Sequence, residues 1–140
     1  DALRERGNAA LKRGDSASAV KLYTMAISHN RADARAYGNR ALAHLRLKRW
    51  REAVSDCEMV LTFDSTNVKA LMRRASAREA LKDFDWAEQD LGAALVLEPS
   101  NADAKIALAR VKALNVVPLP AAPAAISSTA LARGTASCQP

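Results

Sequence analysis

Aromatic residues are scarce: two each of Trp, Tyr and Phe make up 4% of the 140 residues. That leaves no stacking platform for single-stranded nucleic acid. The net charge of +6 and pI of about 9.7 would otherwise favour such a partner. Cysteine and histidine are almost absent. Cys57 and Cys138 lie far apart, and neither His29 nor His44 has a Cys or His at ligand spacing. The spacing argues against a zinc site, so no metal is expected. A reducing intracellular setting fits, with Cys57 as a small core filler. No apolar run approaches the ~18 residues of a membrane span. With only five glycines there is no Gly-rich phosphate loop. No spacing groups a nucleophile with a base either. The chain is therefore read as a non-enzyme without a cofactor, expected to be cytoplasmic and to bind neither membrane nor nucleic acid. It opens "DALRERGN", without an initiator Met or an apolar leader. A monomeric domain of a larger protein is the expectation.

What is present is a repeat. "GDSASAVKLYTMAI" from Gly14, "KRWREAVSDCEMVL" from Lys48 and "KDFDWAEQDLGAAL" from Lys82 start 34 residues apart. Ala19, Ala53 and Ala87 coincide, as do Tyr23, Cys57 and Leu91, and Ala26, Val60 and Ala94. Upstream, Leu3, Tyr37 and Leu71 align, with Gly7, Ala41 and Ala75 one turn later. Small residues let two helices cross closely, and large ones fill the neighbouring groove. The pattern gives three helical hairpins. First helices are expected over about 2–13, 34–47 and 68–81, and second helices over about 16–29, 50–63 and 84–97. Asp15 is placed to cap a helix, and Pro99 to follow one. Residues 102–114 read as an unpaired seventh helix, with Ile106, Leu108 and Val111 covering the end of the stack. Residues 115–140 carry four of the five prolines and one charge, Arg133, which reads as a flexible tail or linker.

The charge is segregated. Residues 1–13, 33–46 and 68–82 hold twelve Lys/Arg against four Asp/Glu, whereas the intervening segments net −5. The basic excess therefore sits on the first helices. At about 100° per residue, Lys69 and Arg73 point away from the apolar Leu71 and Ala75. The same face carries Arg4, Asn8 and Lys12 in the first repeat, and Arg35, Asn39 and Arg46 in the second. Leu11, Leu42 and Leu45 lie on or beside it. Trp50 and Trp86 are expected in hairpin packing, and Arg74 and Arg78 on the outer surface.

A 34-residue helix–turn–helix with this signature resembles the tetratricopeptide repeat family over residues 1–114, as repeats of about 1–33, 34–67 and 68–101 and a capping helix at 102–114. The resemblance implies an all-α, right-handed superhelical solenoid whose first helices line a concave groove. "RERGNAALKRGD", "YGNRALAHLRL" and "NVKALMRRA" further resemble the dicarboxylate-clamp class found in co-chaperones. The clamp positions of that class, Lys, Asn, Asn, Lys and Arg, fall on Arg4, Asn8, Asn39, Lys69 and Arg73. The first departs, with Arg in place of Lys.

The implied partner is the C-terminal Glu-Glu-Val-Asp tail of a heat-shock chaperone of the ninety- or seventy-kilodalton class. Arg4, Asn8 and Asn39 would hold the chain-end carboxylate, Lys69 the aspartate side chain, and Arg73 the peptide further back. Leu11, Leu42 and Leu45 would receive the valine, and Lys12 and Arg46 would add positive field. An alternative within the same fold is a scaffold that binds an internal or helical segment, which has no chain-end carboxylate.

Overall fold

The computed structural model describes residues 2–116. Within them the chain forms seven helices: α1 Ala2–Lys12, α2 Ser16–His29, α3 Ala34–Arg46, α4 Trp50–Phe63, α5 Val68–Ala80, α6 Phe84–Leu97 and α7 Ala102–Val116. The second helix of each hairpin has the span its sequence suggests, and the first helices end about one residue early. The difference lies in the turns. Gly14, Lys48 and Lys82 occupy equivalent positions and all have positive φ, at 84°, 60° and 64°. Each helix is thus closed by a left-handed residue, for which glycine is the low-strain choice and lysine is not. Four helix starts, those of α2, α3, α5 and α7, are capped by short polar side chains. Asp15 accepts from the Ser18 amide, Asp33 from Ala36, Asn67 from Ala70 and Asn101 from Ala104.

Consecutive helices pack on one another in chain order, and α1, α3 and α5 also touch along one side. The result is a solenoid with its first helices along one face. Small residues make the crossings: Ala19, Ala26, Ala53, Ala87 and Ala94 are all fully buried. Tyr23, Cys57 and Leu91 fill the equivalent central positions. Burial pushes the Cys57 thiol up to about 12, so it acts as an inert apolar filler.

A polar brace recurs in the second and third repeats. Arg40 makes two hydrogen bonds to Asp56, at 2.8 and 2.7 Å, and Arg74 makes two to Asp90, at 3.0 and 2.7 Å. Arg78 adds a third to Asp90 at 2.9 Å. Both aspartates are buried, so each pair ties a first helix to its partner through an almost dry contact. Arg74 and Arg78 are therefore structural ties, not free surface residues.

Two further expectations are corrected. Trp86 is 55% exposed, with the Arg78 guanidinium 5.4 Å from its ring, so it contributes little hairpin packing. Ile106 is 63% exposed; Ala104 and Val111, both fully buried, cover the end of the stack with Ala107 and Leu108. Helix α7 runs two residues beyond the expected 114, and Asn115 donates to Asp85 and Glu88 on α6. The rest of the expected tail, 117–140, lies outside the described residues, as does Cys138.

Candidate functional site: a basic groove on the first helices

The five clamp positions meet in one pocket of about 340 Å³. Arg4 and Asn8 come from α1, Asn39 from α3, and Lys69 and Arg73 from α5. Ala34, Arg35, Gly38, Asn67 and Ala70 complete much of the lining, and Glu5 is its one carboxylate among the described residues. The convergence follows from the 34-residue period. Equivalent turns of successive first helices stack side by side, so residues far apart in sequence share one wall. The first turns of α3 and α5 both open onto the pocket, adding the positive end of each helix dipole to four cationic side chains.

Hydrogen bonds fix the floor. The Tyr23 hydroxyl donates to Asn8 Oδ1 at 2.6 Å, and Asn39 Nδ2 donates to the same oxygen at 2.9 Å. With its oxygen satisfied twice, the Asn8 amide is oriented and its Nδ2 is left as a donor. Asn39 keeps a second amide hydrogen. Arg4 Nη1 binds Asp33 Oδ2 at 2.9 Å, and Asp33 also caps α3. Arg73 Nη1 donates to the Gly38 carbonyl at 2.7 Å. Lys69 is exposed and has no hydrogen-bond partner among the described residues.

Burial lowers the Arg73 guanidinium from its ordinary value, with Arg46 acting the same way and Cys57 and Tyr23 opposing. A cation held where its charge is disfavoured is stabilised by an incoming anion. The Tyr23 phenol is raised, first by burial, and so stays a hydroxyl donor.

The peripheral residues divide. Leu11, Lys12 and Arg46 line an adjoining depression that shares Glu5, Asn8 and Asn39 with the main pocket. Leu11 is only 8% exposed and belongs to the α1–α2 core, and Arg46 Nη1 donates to its carbonyl at 3.0 Å. Leu42 packs against that same core, beside Ala43 and Tyr23. Leu42 and Leu45 line neither depression. Arg35 was placed on the groove face by helical rotation but given no contact with a ligand; it lines the pocket, one repeat before Lys69. The role of Tyr23 in orienting Asn8 was not legible, because its position reads as core.

With this geometry in hand, the similarity to known proteins can be placed. A family model described as tetratricopeptide repeat matches residues 4–68. The second such domain of human RPAP3, solved with the HSP70 peptide SGPTIEEVD, is 35% identical with a TM-score of 0.76, over 79% of this chain and 92% of that one. The chain belongs to the tetratricopeptide repeat family. The first tetratricopeptide domain of Spaghetti (RPAP3), solved with the HSP90 peptide SRMEEVD, is 33% identical with a TM-score of 0.79, over 81% of this chain and 90% of that one. Mouse sperm-associated antigen 1 is 42% identical over 107 residues, which is 76% of this chain and 12% of that protein. The chain thus spans about an eighth of the length of that relative. Among the described residues, no helix is long and apolar enough to cross a membrane, and no cluster of His, Cys, Asp and Glu could hold a metal ion.

Proposed function

We propose that this tetratricopeptide domain is an adaptor that binds the acidic C-terminus of a heat-shock chaperone, ending Glu-Glu-Val-Asp, through a dicarboxylate clamp. One observation carries the reading. Five polar donors from three helices converge on one pocket, and the Asn8 amide is pinned through its oxygen, which leaves its Nδ2 as a donor. Such a floor suits a carboxylate, because amides supply directed donors without adding charge to a crowded cationic site. The solved neighbours bound to SGPTIEEVD and SRMEEVD support the same ligand class.

The chain-end carboxylate would sit on Asn8 and Asn39, beside Arg4. Lys69 would take the aspartate side chain, and Arg73 a carbonyl or carboxylate further back. Lys12 and Arg46 border the adjoining depression and supply field for the upstream glutamates. Charge-assisted hydrogen bonds contribute roughly 1.5–3 kcal/mol each, and ordering a flexible tail offsets much of the sum. Micromolar affinity follows, about −7 to −8 kcal/mol.

The test is calorimetric titration with a peptide ending Met-Glu-Glu-Val-Asp, beside its C-terminally amidated form and beside Lys69→Ala. Micromolar binding that both changes abolish is the expected result. Equal binding of the amidated peptide would overturn the clamp and favour the recognition of an internal segment.

A further inference from the structure

Four cations line the pocket, yet a terminal aspartate offers only two carboxylates. Their commitments differ. Arg4 holds Asp33 at 2.9 Å, and Asp33 is 8% exposed, so much of the Arg4 charge is already answered inside the fold. Arg73 is half-buried and donates to the Gly38 carbonyl. Arg35 and Lys69 are different: both are exposed, both line the pocket, and neither has a partner among the described residues. They stand 34 residues apart, each the second residue of its helix, two positions after the caps Asp33 and Asn67. The stacked repeats therefore place both exposed cations in the lining of the pocket that also holds the half-buried amides of Asn8 and Asn39.

We propose that Arg35 is a specificity-determining contact of this groove, forming with Lys69 a two-cation rim for the side-chain carboxylate of a C-terminal aspartate, while the Asn8–Asn39 floor takes the chain end. The proposal rests on the terminal-carboxylate reading above and deepens it. It also accounts for the departure at Arg4. The position that bears a lysine in the clamp class bears here an arginine paired with a buried carboxylate. The uncommitted charge is supplied one helix over. Two carboxylates on one residue lie only a few ångströms apart, so a neutral floor and a cationic rim fit such a residue. A free guanidinium offers a two-pronged fork that lysine lacks. Glu5, the one carboxylate in the lining among the described residues, is paired with neither cation and leaves the rim electropositive.

The experiment separates a specific contact from a general field. The chain and its Arg35→Ala variant are titrated with two peptides, one ending Met-Glu-Glu-Val-Asp and one ending Met-Glu-Glu-Val-Asn. Both have the same chain end, and only the first has the side-chain carboxylate. Arg35→Ala is expected to weaken the Asp-ending peptide about tenfold, the loss of one charge-assisted contact. It should leave the Asn-ending peptide nearly unchanged, and Arg35→Lys should restore part of the loss. Arg31→Ala removes an exposed arginine that lines neither depression, so it controls for net charge. Circular dichroism confirms that each variant is folded. Equal weakening of both peptides, or none, while amidation still abolishes binding, overturns this inference and leaves the clamp standing. If the unaltered chain binds neither peptide, or binds the amidated form equally, both proposals fall.

Discussion

Replacing Gly7 by alanine sets two known effects against each other. In the middle of a helix, glycine to alanine ordinarily stabilises by about 0.5–1 kcal/mol, through the reduced freedom of the unfolded chain. In this fold a Cβ at Gly7 would stand 2.6 Å from Tyr23 Cε1 and 2.9 Å from Cδ1. The ring is fully buried and its hydroxyl is held by Asn8, so it has no room to withdraw. Overpacking of this kind costs about 1–3 kcal/mol, and a displaced hydroxyl forfeits about 1 kcal/mol more. The clash wins, and Gly7→Ala should destabilise by about 1–3 kcal/mol net. In a domain of this size that lowers Tm by roughly 3–12 °C.

Urea denaturation followed by circular dichroism measures the change. Gly92→Ala is the matched control: a Cβ there meets nothing within 4 Å, and the ordinary gain should appear. The repeat itself suggests a rescue. Its third copy pairs Ala75 with Leu91 at the positions where the first pairs Gly7 with Tyr23, and both members of that pair are buried in one cluster. Gly7→Ala with Tyr23→Leu should therefore recover most of the loss in stability, though not the hydrogen bond to Asn8. If Gly7→Ala stabilises as Gly92→Ala does, the steric reasoning is wrong.

Three other perturbations follow from the same structure. Asp90→Ala leaves Arg74 and Arg78 facing each other without their shared carboxylate and should cost about 3–5 kcal/mol, whereas Arg74→Ala, which leaves Arg78 in place, should cost less, about 2 kcal/mol; urea midpoints rank the two. Lys82→Gly relieves a lysine at φ 64° and should stabilise by up to about 1 kcal/mol in thermal melts, while Gly14→Ala at φ 84° should lose a similar amount. His44 provides a pH dependence. Burial lowers its imidazole below the ordinary value against the pull of Asp56, with Arg40 assisting burial and the weaker effects of Glu52 and Arg49 opposed to each other, and its Nδ1 has no partner among the described residues. The unfolded chain then takes up the proton first. Stability should fall as pH drops below about 6.5, the unfolded value. His44→Gln should flatten that slope, and an unchanged slope would assign it to other groups.

The hairpins were legible because their evidence repeats. Small residues at the crossings and large ones between them recur at a fixed interval, and three copies of one pattern leave little freedom in where helices lie. The groove was legible for the same reason: Lys69 and Arg73 share a face by helical rotation alone. What stayed hidden depends on how side chains meet across helices. Arg40 and Asp56 are 16 residues apart, as are Arg74 and Asp90, an interval without meaning inside one helix. Only the recurrence of both residues one repeat later could have signalled the brace. Leu42 was placed on or beside the groove face by rotation, but its side chain packs against the cluster of Ala10, Leu11, Ala19, Tyr23 and Ala43. Arg4 was matched to a motif by type, and its capture by Asp33 depends on the turn that brings that residue back to α1.

The pocket has no single owner. Its lining is contributed mostly by α1, α3 and α5, and these helices are held at their separation chiefly by α2 and α4 wedged behind them. A ligand that touches all three is therefore reading the pitch of the stack. Slack or compression between repeats changes the gauge of the pocket even where every contacting atom is intact. Val60 shows how direct that route is: it is buried between repeats and yet forms part of the pocket wall. Substitutions on the back of the solenoid, far from any carboxylate, can thus retune affinity. A peptide bound across α1, α3 and α5, as proposed, would in turn tie the three hairpins together like a rivet.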